Sequence, residues 1–342
     1  MKAVVIREAG VASVESVPDV SPLAGEVLLK IRRIGLCGSD LNSFRGRNPM
    51  VSFPRIPGHE VAATVMEDVP GNPILKRGTN ITLSPYTSCG KCAACIRDRP
   101  NACEFNQTLG VQRDGALTEY LAVPPDRIFT ARLSLEALCL VEPLTIGFHA
   151  VARGRVESSD TVAIIGCGGV GLGAIAGSSS RGARAIGIDV DDDKLRIARA
   201  AGAHETINSL KEPIHDRLVE LTAGKGPDVM IEAIGLPHTF RSAVEEVAFT
   251  GRVVYIGYAK EPVTYETRLF VQKELDILGS RNALPEDFLD VIRLLESGKF
   301  PVQEAISAII SLEDVPTSLQ SWSANPGSVK KVIVTLDSLG GD

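Results

Sequence analysis

The stretch from Thr161 to Asp189 constrains this chain more than any other. An apolar run, Val162-Ala163-Ile164-Ile165, enters Gly166-Cys167-Gly168-Gly169-Val170-Gly171. An Ala/Gly/Ile segment follows, and Ala185-Ile186-Gly187-Ile188-Asp189 closes the stretch on an acid. Strand, glycine turn, helix, second strand and acid, in that order, form the dinucleotide-binding pattern. Gly166 permits the tight turn, Gly168 lets backbone N–H groups approach a pyrophosphate, and Gly171 lets helix and strand pack closely. The positive end of the helix then faces the phosphates. Asp189 stands where an acid takes the adenosine ribose 2′-hydroxyl, and no arginine directly follows it to receive a 2′-phosphate, which favours NAD over NADP. The expected cofactor-binding residues are Gly166, Gly168, Gly169, Val170, Gly171 and Asp189, together with Ile256 at the end of a later strand.

In a chain with 32 glycines the spacing alone is weak; the flanking strand, helix and acid make it specific. Thr161 to Ser180 is uncharged and about as long as a membrane span, but its six glycines and three terminal serines argue against one. No membrane partner is expected.

At 342 residues the length allows two domains, and 44% hydrophobic residues supply sizeable cores. A net charge of −6 and a pI near 5.5 give no basic field for nucleic acid. Charge interrupts Met1 to Glu8 too early for a secretory segment, so an edge strand and a cytoplasmic location are expected.

Residues 1 to 143 read as short strands and loops: Val27 to Ile31, Val61 to Met66, Asn80 to Leu83 and Leu117 to Val123, with Pro/Gly clusters between them. After Pro143 a helix over Gly147 to Gly154 leads into alternating strands and helices. Six strands are expected: Thr161 to Ile165, Ala185 to Asp189, Glu205 to Ile207, Asp228 to Glu232, Arg252 to Ile256 and Ile277 to Gly279. With right-handed crossovers they make a doubly wound parallel sheet. From residue 284 the pattern stops alternating: helices at Pro285 to Ser297 and Leu312 to Ser321 and a strand at Lys331 to Leu336 are expected.

Five of the seven cysteines fall in clusters that suggest metal before disulfide. Cys89, Cys92, Cys95 and Cys103 can wrap one tetrahedral ion with no position left for substrate, a closed structural site. The alternatives are a redox dithiol and a nucleic-acid-contacting zinc ribbon, and for the latter Lys91, Arg97 and Arg99 make a poor phosphate-binding face. Cys37 and His59 are good zinc donors, and a catalytic site normally takes a third protein ligand. Glu142, beside Pro143, is the candidate, although sequence alone does not bring it near Cys37. Cys139 and Cys167 lie in apolar runs that suit buried packing.

With these motifs assembled, the chain resembles the zinc-dependent medium-chain dehydrogenase/reductase family, closest to its polyol/sorbitol and threonine dehydrogenase branch. The resemblance covers essentially the whole chain. It implies a GroES-like β-rich catalytic domain (1–143), an inserted Rossmann NAD-binding domain (144–283) and a C-terminal segment (284–342) returning to the first. It implies two zinc ions per subunit: a catalytic one on Cys37, His59 and Glu142, and a structural one on Cys89, Cys92, Cys95 and Cys103. Glu60 matches a carboxylate that exchanges into the metal shell or acts through water. Asp40 matches a residue orienting the histidine ligand, and Asp189 and Lys194 match the pair bracketing the adenosine ribose. Ser39 matches the hydroxyl that accepts the alcohol proton. Asn42 departs from the family's frequent relay histidine, and Ala63 stands where glycine is commoner.

The implied chemistry is metal-assisted hydride transfer from an alcohol to NAD. A carboxylate in place of a third cysteine points to polyol, sugar or sugar-acid substrates. Arg45, Arg47, Arg113 and Arg281 are candidates for a substrate carboxylate or a cofactor phosphate. The readings weighed against this are a threonine-type amino-alcohol dehydrogenase, a zinc-free quinone or enoyl reductase, and a non-catalytic relative. The resemblance implies a homodimer or homotetramer.

Overall fold

The computed structural model describes residues 1–325 and 330–336. It divides into two compact units, Met1–Glu142 with Val302–Asp342, and Pro143–Pro301.

In the Pro143–Pro301 unit the apolar runs form six parallel strands. Their spatial order is Glu205–Asn208, Arg184–Asp189, Thr161–Ile165, Val229–Glu232, Arg252–Tyr255, Asp276–Gly279. The first strand in sequence lies in the middle, and the winding reverses between it and Val229–Glu232, which makes a switch-point crevice there. Val162, Ala163, Ile164, Val229, Met230 and Ile231 are all buried, as a sheet covered on both faces requires. The uncharged run Thr161 to Ser180 resolves into a strand and the 12-residue helix Gly169–Ser180. The next helix, Asp192–Ala200, is capped by Asp191, whose Oδ1 accepts from the N–H groups of Asp193 (2.8 Å) and Lys194 (3.1 Å).

Two boundaries differ from the sequence reading. The nucleotide unit ends at Pro301 rather than residue 283. Helix Pro285–Glu296 buries Phe288, Val291, Ile292 and Leu295, and its buried Asp287 Oδ2 lies 2.9 Å from the buried His149 Nδ1, which ties the helix to this unit. Pro143 does not break the chain either: it lies inside one 19-residue helix, Leu135–Arg153, so Glu142 is a helix residue. That helix is long and apolar enough to cross a membrane by length and composition, but 78% of its apolar window is buried inside the protein, as in a core helix.

In the other unit the sheet runs Ala308–Ser311, Val332–Thr335, Val27–Leu36, Glu60–Val65, Asn80–Leu83, Ile128–Thr130, and Tyr120–Val123 also pairs with Val27–Leu36. The late strand therefore returns to the first unit. Val332–Thr335 lies antiparallel to Val27–Leu36, with Ile333 opposite Gly35; on the other side Glu60 is opposite the same Gly35. Leu29, Ile31, Ile34, Val61, Ile81 and Val334 fill the core beneath, joined by Leu319 and Trp322.

Candidate active site

Cys37 follows the central strand Val27–Leu36 and caps the short helix Gly38–Phe44. The side chain of Asp40 folds back on it: Oδ2 accepts from the Cys37 N–H (2.9 Å), while Oδ1 accepts from the Gly58 N–H (3.1 Å) and lies 3.9 Å from His59 Nδ1. One buried carboxylate thus fixes both the Cys37 and the His59 segments. Glu60 begins the neighbouring strand. The donor atoms of Cys37, His59 and Glu60 lie within 4.8 Å of one another.

Glu142, the donor expected from sequence, is outside that trio. Its Oε1 accepts a hydrogen bond from the buried Tyr86 hydroxyl. Burial pushes the Glu142 carboxyl above its usual range, with Glu60 adding to the effect, against the fields of His59, Tyr86 and Lys331. For His59, burial opposes the charged form but is outweighed by Asp40, Cys37 and Glu142 together, which hold the imidazole well above its usual value.

Two residues that sequence reasoning missed complete the site. Lys331 Nζ reaches both oxygens of Glu60 at 2.6 Å and the Leu36 carbonyl at 3.1 Å. Tyr86 holds Glu142. Neither had a sequence signal, because a lysine at a strand's start and a tyrosine in a loop are both ordinary.

The donor set suits zinc: a thiolate, an imidazole and a carboxylate, three of the four ligands a tetrahedral ion takes. Ser39 Oγ is buried without a hydrogen-bond partner, as a site built for a hydroxyl-bearing ligand would leave it, and His59 Nδ1 faces Asp40 Oδ1, which leaves the other ring nitrogen for an ion. Asn42 lies on the same short helix as Ser39. Of the candidate arginines, Arg45 donates to Ser323, Arg113 donates to the Pro85 carbonyl at 3.4 Å, Arg47 is exposed, and Arg281 follows the strand Asp276–Gly279.

The four remaining clustered cysteines also converge, and all are free thiols. A tetrahedron with Zn–S bonds of about 2.3 Å has S···S edges of about 3.8 Å. Cys92 Sγ lies 3.5 Å from Cys95 Sγ and 3.8 Å from Cys103 Sγ. Backbone N–H groups of Cys95 and Glu104 draw the Cys92 thiol down to about 6, and burial pushes Cys95 up to about 11.

In the nucleotide unit, Gly166 has φ +100°, and a Cβ there would lie 2.7 Å from Ile234. A Cβ on Gly171 would lie 1.7 Å from the Gly166 carbonyl oxygen. Gly168, at the helix cap, instead faces open space, beside the N-terminus of a helix, the kind of end that attracts an anion. Gly169 and Val170 begin the helix. Asp189 ends the adjacent strand with its Oδ2 accepting from the Cys167 N–H (2.8 Å) and its Oδ1 from Val190 N–H (2.8 Å). Lys194 lies on the following helix, and the Ile256 N–H donates to the Glu232 carbonyl at 2.9 Å. The turn after Val229–Glu232 is tied by Glu232, whose Oε1 accepts from Ile234 N–H, Gly235 N–H and Thr239 Oγ1. The sequence reading had passed over this residue.

Comparison with known proteins identifies the family. Residues 23–132 match the alcohol dehydrogenase GroES-like domain and residues 169–297 the zinc-binding dehydrogenase family. An uncharacterized zinc-type alcohol dehydrogenase-like protein of Haemophilus influenzae is 31% identical over 335 residues, 97% of this chain and 98% of that one. The L-galactonate-5-dehydrogenase of Escherichia coli K12 is 33% identical over 281 residues, 81% of this chain and 83% of its own. The crystal structure of the alcohol dehydrogenase RspB of Escherichia coli CFT073, complexed with its cofactor NADH, superposes with a TM-score of 0.89 at 28% identity, covering 98% and 99% of the two chains. A zinc-type relative matched along almost the entire length, on a fold with both a thiolate lobe and a dinucleotide turn, places this chain in the zinc-type medium-chain alcohol dehydrogenase family.

Proposed function

We propose that the protein oxidises a secondary alcohol of a polyol, sugar or sugar acid to a ketone, with NAD as hydride acceptor. The observation that carries the reading is the meeting of Cys37, His59 and Glu60 within 4.8 Å, beside a buried Ser39 hydroxyl that has no partner of its own. Zinc held by Cys37, His59 and a carboxylate supplies a Lewis acid that makes the substrate hydroxyl more acidic. Asp40 orients the two ligand segments. Ser39 Oγ accepts the alcohol proton; Asn42 does not titrate, so the proton continues by way of ribose hydroxyls, water or a carboxylate.

In the nucleotide unit, the open space at Gly168 and the helix N-terminus hold the pyrophosphate. Asp189, flanked by Lys194, takes the adenosine ribose hydroxyls, and its negative charge disfavours a 2′-phosphate. The sugar-acid class draws support from the similarity to an L-galactonate-5-dehydrogenase.

The test is NAD reduction across a panel of polyols, aldonates and L-threonine, with and without a zinc chelator. Turnover of at least one polyol or aldonate that chelator abolishes and zinc restores is expected. Turnover that survives complete zinc removal, or a preference for L-threonine over the whole panel, overturns the reading.

A further inference from the structure

A guanidinium without an anion stands in the unit that carries the metal donors. Arg113 is half-buried; its Nε is sealed from solvent with no hydrogen-bond partner, and its Nη2 meets only the Pro85 carbonyl, at 3.4 Å. Arg33 and Arg55 bury an unbonded Nε as well, yet each has an acid in ion-pair range, Glu136 at 3.7 Å and Asp114 at 2.9 Å. Asp114 is the neighbour of Arg113 in sequence, and Arg55 has taken it. No acid among the described residues forms an ion pair with Arg113, and its Nη1 makes no hydrogen bond. Burial and the nearby Arg127 weigh against its charge, and Glu26 offsets them only in part. A cation in that condition costs stability until an anion joins it.

The surroundings of Arg113 lead toward the metal donors on two sides. The Gly115 N–H donates to the Ile56 carbonyl at 2.7 Å and the Ala116 N–H to the Gly58 carbonyl at 2.9 Å. A Cβ on Gly110 or Gly115 would lie 2.7 or 2.5 Å from the Gly58 backbone, so this turn packs directly on the residue before His59. On its other side the Leu109 N–H joins Arg113 Nη2 on the Pro85 carbonyl, and the next residue, Tyr86, donates to Glu142. The other candidate arginines are placed differently: Arg45 is held by Ser323, Arg47 stands in solvent, and Arg281 belongs to the nucleotide unit.

We propose that Arg113 is a specificity-determining residue that receives the terminal carboxylate of the substrate, so that among polyols, sugars and sugar acids the substrate is an aldonate. The proposal rests on the zinc-dehydrogenase reading above and narrows it. The Nη edge of a guanidinium can hold a carboxylate through two parallel N–H···O bonds, which an ammonium cannot do. An aldonate carries its acid at one end of the carbon chain and hydroxyls along the rest. The acid can therefore rest on Arg113 while a secondary hydroxyl faces Cys37, His59 and Glu60. A neutral alditol brings Arg113 no counter-charge.

The experiment uses the full-length, zinc-loaded protein with NAD. Each hexonate of a panel is compared with its own primary amide and its alditol, which keep the carbon chain and remove the charge. The parent is expected to prefer its best aldonate over the matching amide by about 10- to 100-fold in kcat/KM, the weight of hydrogen bonds between charged groups. In Arg113→Gln that preference should fall to near parity, chiefly through KM. Arg113→Lys keeps the charge without the planar fork and should retain part of it. A second readout needs no turnover: calorimetric titration of the aldonate into the protein with NADH, where Arg113→Gln should raise Kd by about the same factor.

A parent that handles aldonate, amide and alditol equally well overturns the assignment, and no variant is needed to see it. So does an Arg113→Gln protein that loses activity on all three alike with the preference intact, which would leave the guanidinium as a support for the Pro85 carbonyl. If the glutamine variant folds poorly, the parent's preference and the lysine variant decide. Zinc-dependent turnover of alditols alone also overturns the role of Arg113 while leaving the dehydrogenase reading standing. A protein with no zinc-dependent turnover of any alcohol in the panel overturns both.

Discussion

Lys331 Nζ lies 2.6 Å from each carboxylate oxygen of Glu60, across 271 positions of sequence, with neither side chain more than 8% exposed. The register explains how they meet. Glu60 and Ile333 stand on opposite sides of Gly35 in the central strand, and Lys331 comes just before Val332, which pairs with Leu36. Gly35 is required there because a Cβ on it would lie 2.0 Å from Glu60 Oε2. The ammonium counters part of the negative charge that Cys37, Glu60 and Glu142 bring to one buried site. Burial alone would lower the Lys331 pKa, but Glu60, Cys37 and Glu142 together raise it above its usual value, so Lys331 is charged at neutral pH.

Breaking a buried ion pair by removing one member leaves the other charge uncompensated. Lys331→Met should therefore lower stability by about 3–5 kcal/mol, measured by urea unfolding. Adding Glu60→Gln to that variant should recover a large part of the loss, because the double variant buries no orphaned charge. A single variant as stable as the parent would mean that solvent or another cation already serves Glu60.

Asp189 should set cofactor choice. Its carboxylate is positioned beside the glycine turn by the Cys167 and Val190 N–H groups. Asp189→Ser removes the acceptor for two ribose hydroxyls and the charge that repels a 2′-phosphate. NADH affinity, followed by fluorescence titration, should fall about tenfold or more, while NADPH affinity should hold or rise. A parent protein that binds NADPH as tightly as NADH would contradict the role given to this residue.

Much of this molecule was legible because its strongest signals are local. The glycine turn, the acid ending the second strand and the Cys89–Cys103 lobe each lie within about thirty residues of chain, and local geometry selects the glycines while ligand chemistry selects the acid and the thiols. Cys37 and His59, which the structure brings together, could be singled out by chemistry, since few other side chains bind zinc. The legible part ended where contacts are long-range. Lys331 and Tyr86 reach Glu60 and Glu142 across 271 and 56 positions, and no spacing rule connects them. Pro143 misled for a different reason. A proline normally disrupts a helix interior, but Leu138, Cys139, Val141 and Leu144 are buried around it, and tertiary packing outweighs local propensity. Helix Pro285–Glu296 was read correctly as a helix; its membership was missed because the His149–Asp287 contact spans 138 positions.

The cysteine lobe should be separable from the chemistry. Cys103→Ala removes a fully buried thiol that lies 3.8 Å from Cys92 Sγ. The remaining three thiols cannot close a tetrahedron, so if the chain holds one ion in the lobe and one at Cys37, as we propose, the variant should lose the first and keep the second. The measurements are metal stoichiometry and limited proteolysis, with new cleavage expected between Cys89 and Cys103. Retention of full metal content would show that the lobe is not a four-thiolate site.

Glu232 is a different kind of buried acid, since no cation is paired with it among the described residues and backbone and hydroxyl donors take that place. Its Oε1 accepts from Ile234 N–H at 2.9 Å, Gly235 N–H at 2.7 Å and Thr239 Oγ1 at 2.7 Å. Its Oε2 has no hydrogen-bond partner and sits where a Cβ on Gly257 would come within 2.5 Å. The residue ends the strand at the switch point, so the turn it organises borders the crevice proposed for the cofactor. Glu232→Ala strands two backbone donors, while the Thr239 hydroxyl can turn to the Leu236 carbonyl at 2.8 Å, and should lower stability by about 3 kcal/mol. NADH affinity should fall with it, because the turn loses its fixed geometry. Glu232→Gln keeps one acceptor oxygen for the three donors, so it should lose less of both. Urea unfolding and NADH fluorescence separate the outcomes: an alanine variant that unfolds earlier yet binds NADH with parental affinity would confine Glu232 to holding the fold, with no part in shaping the crevice.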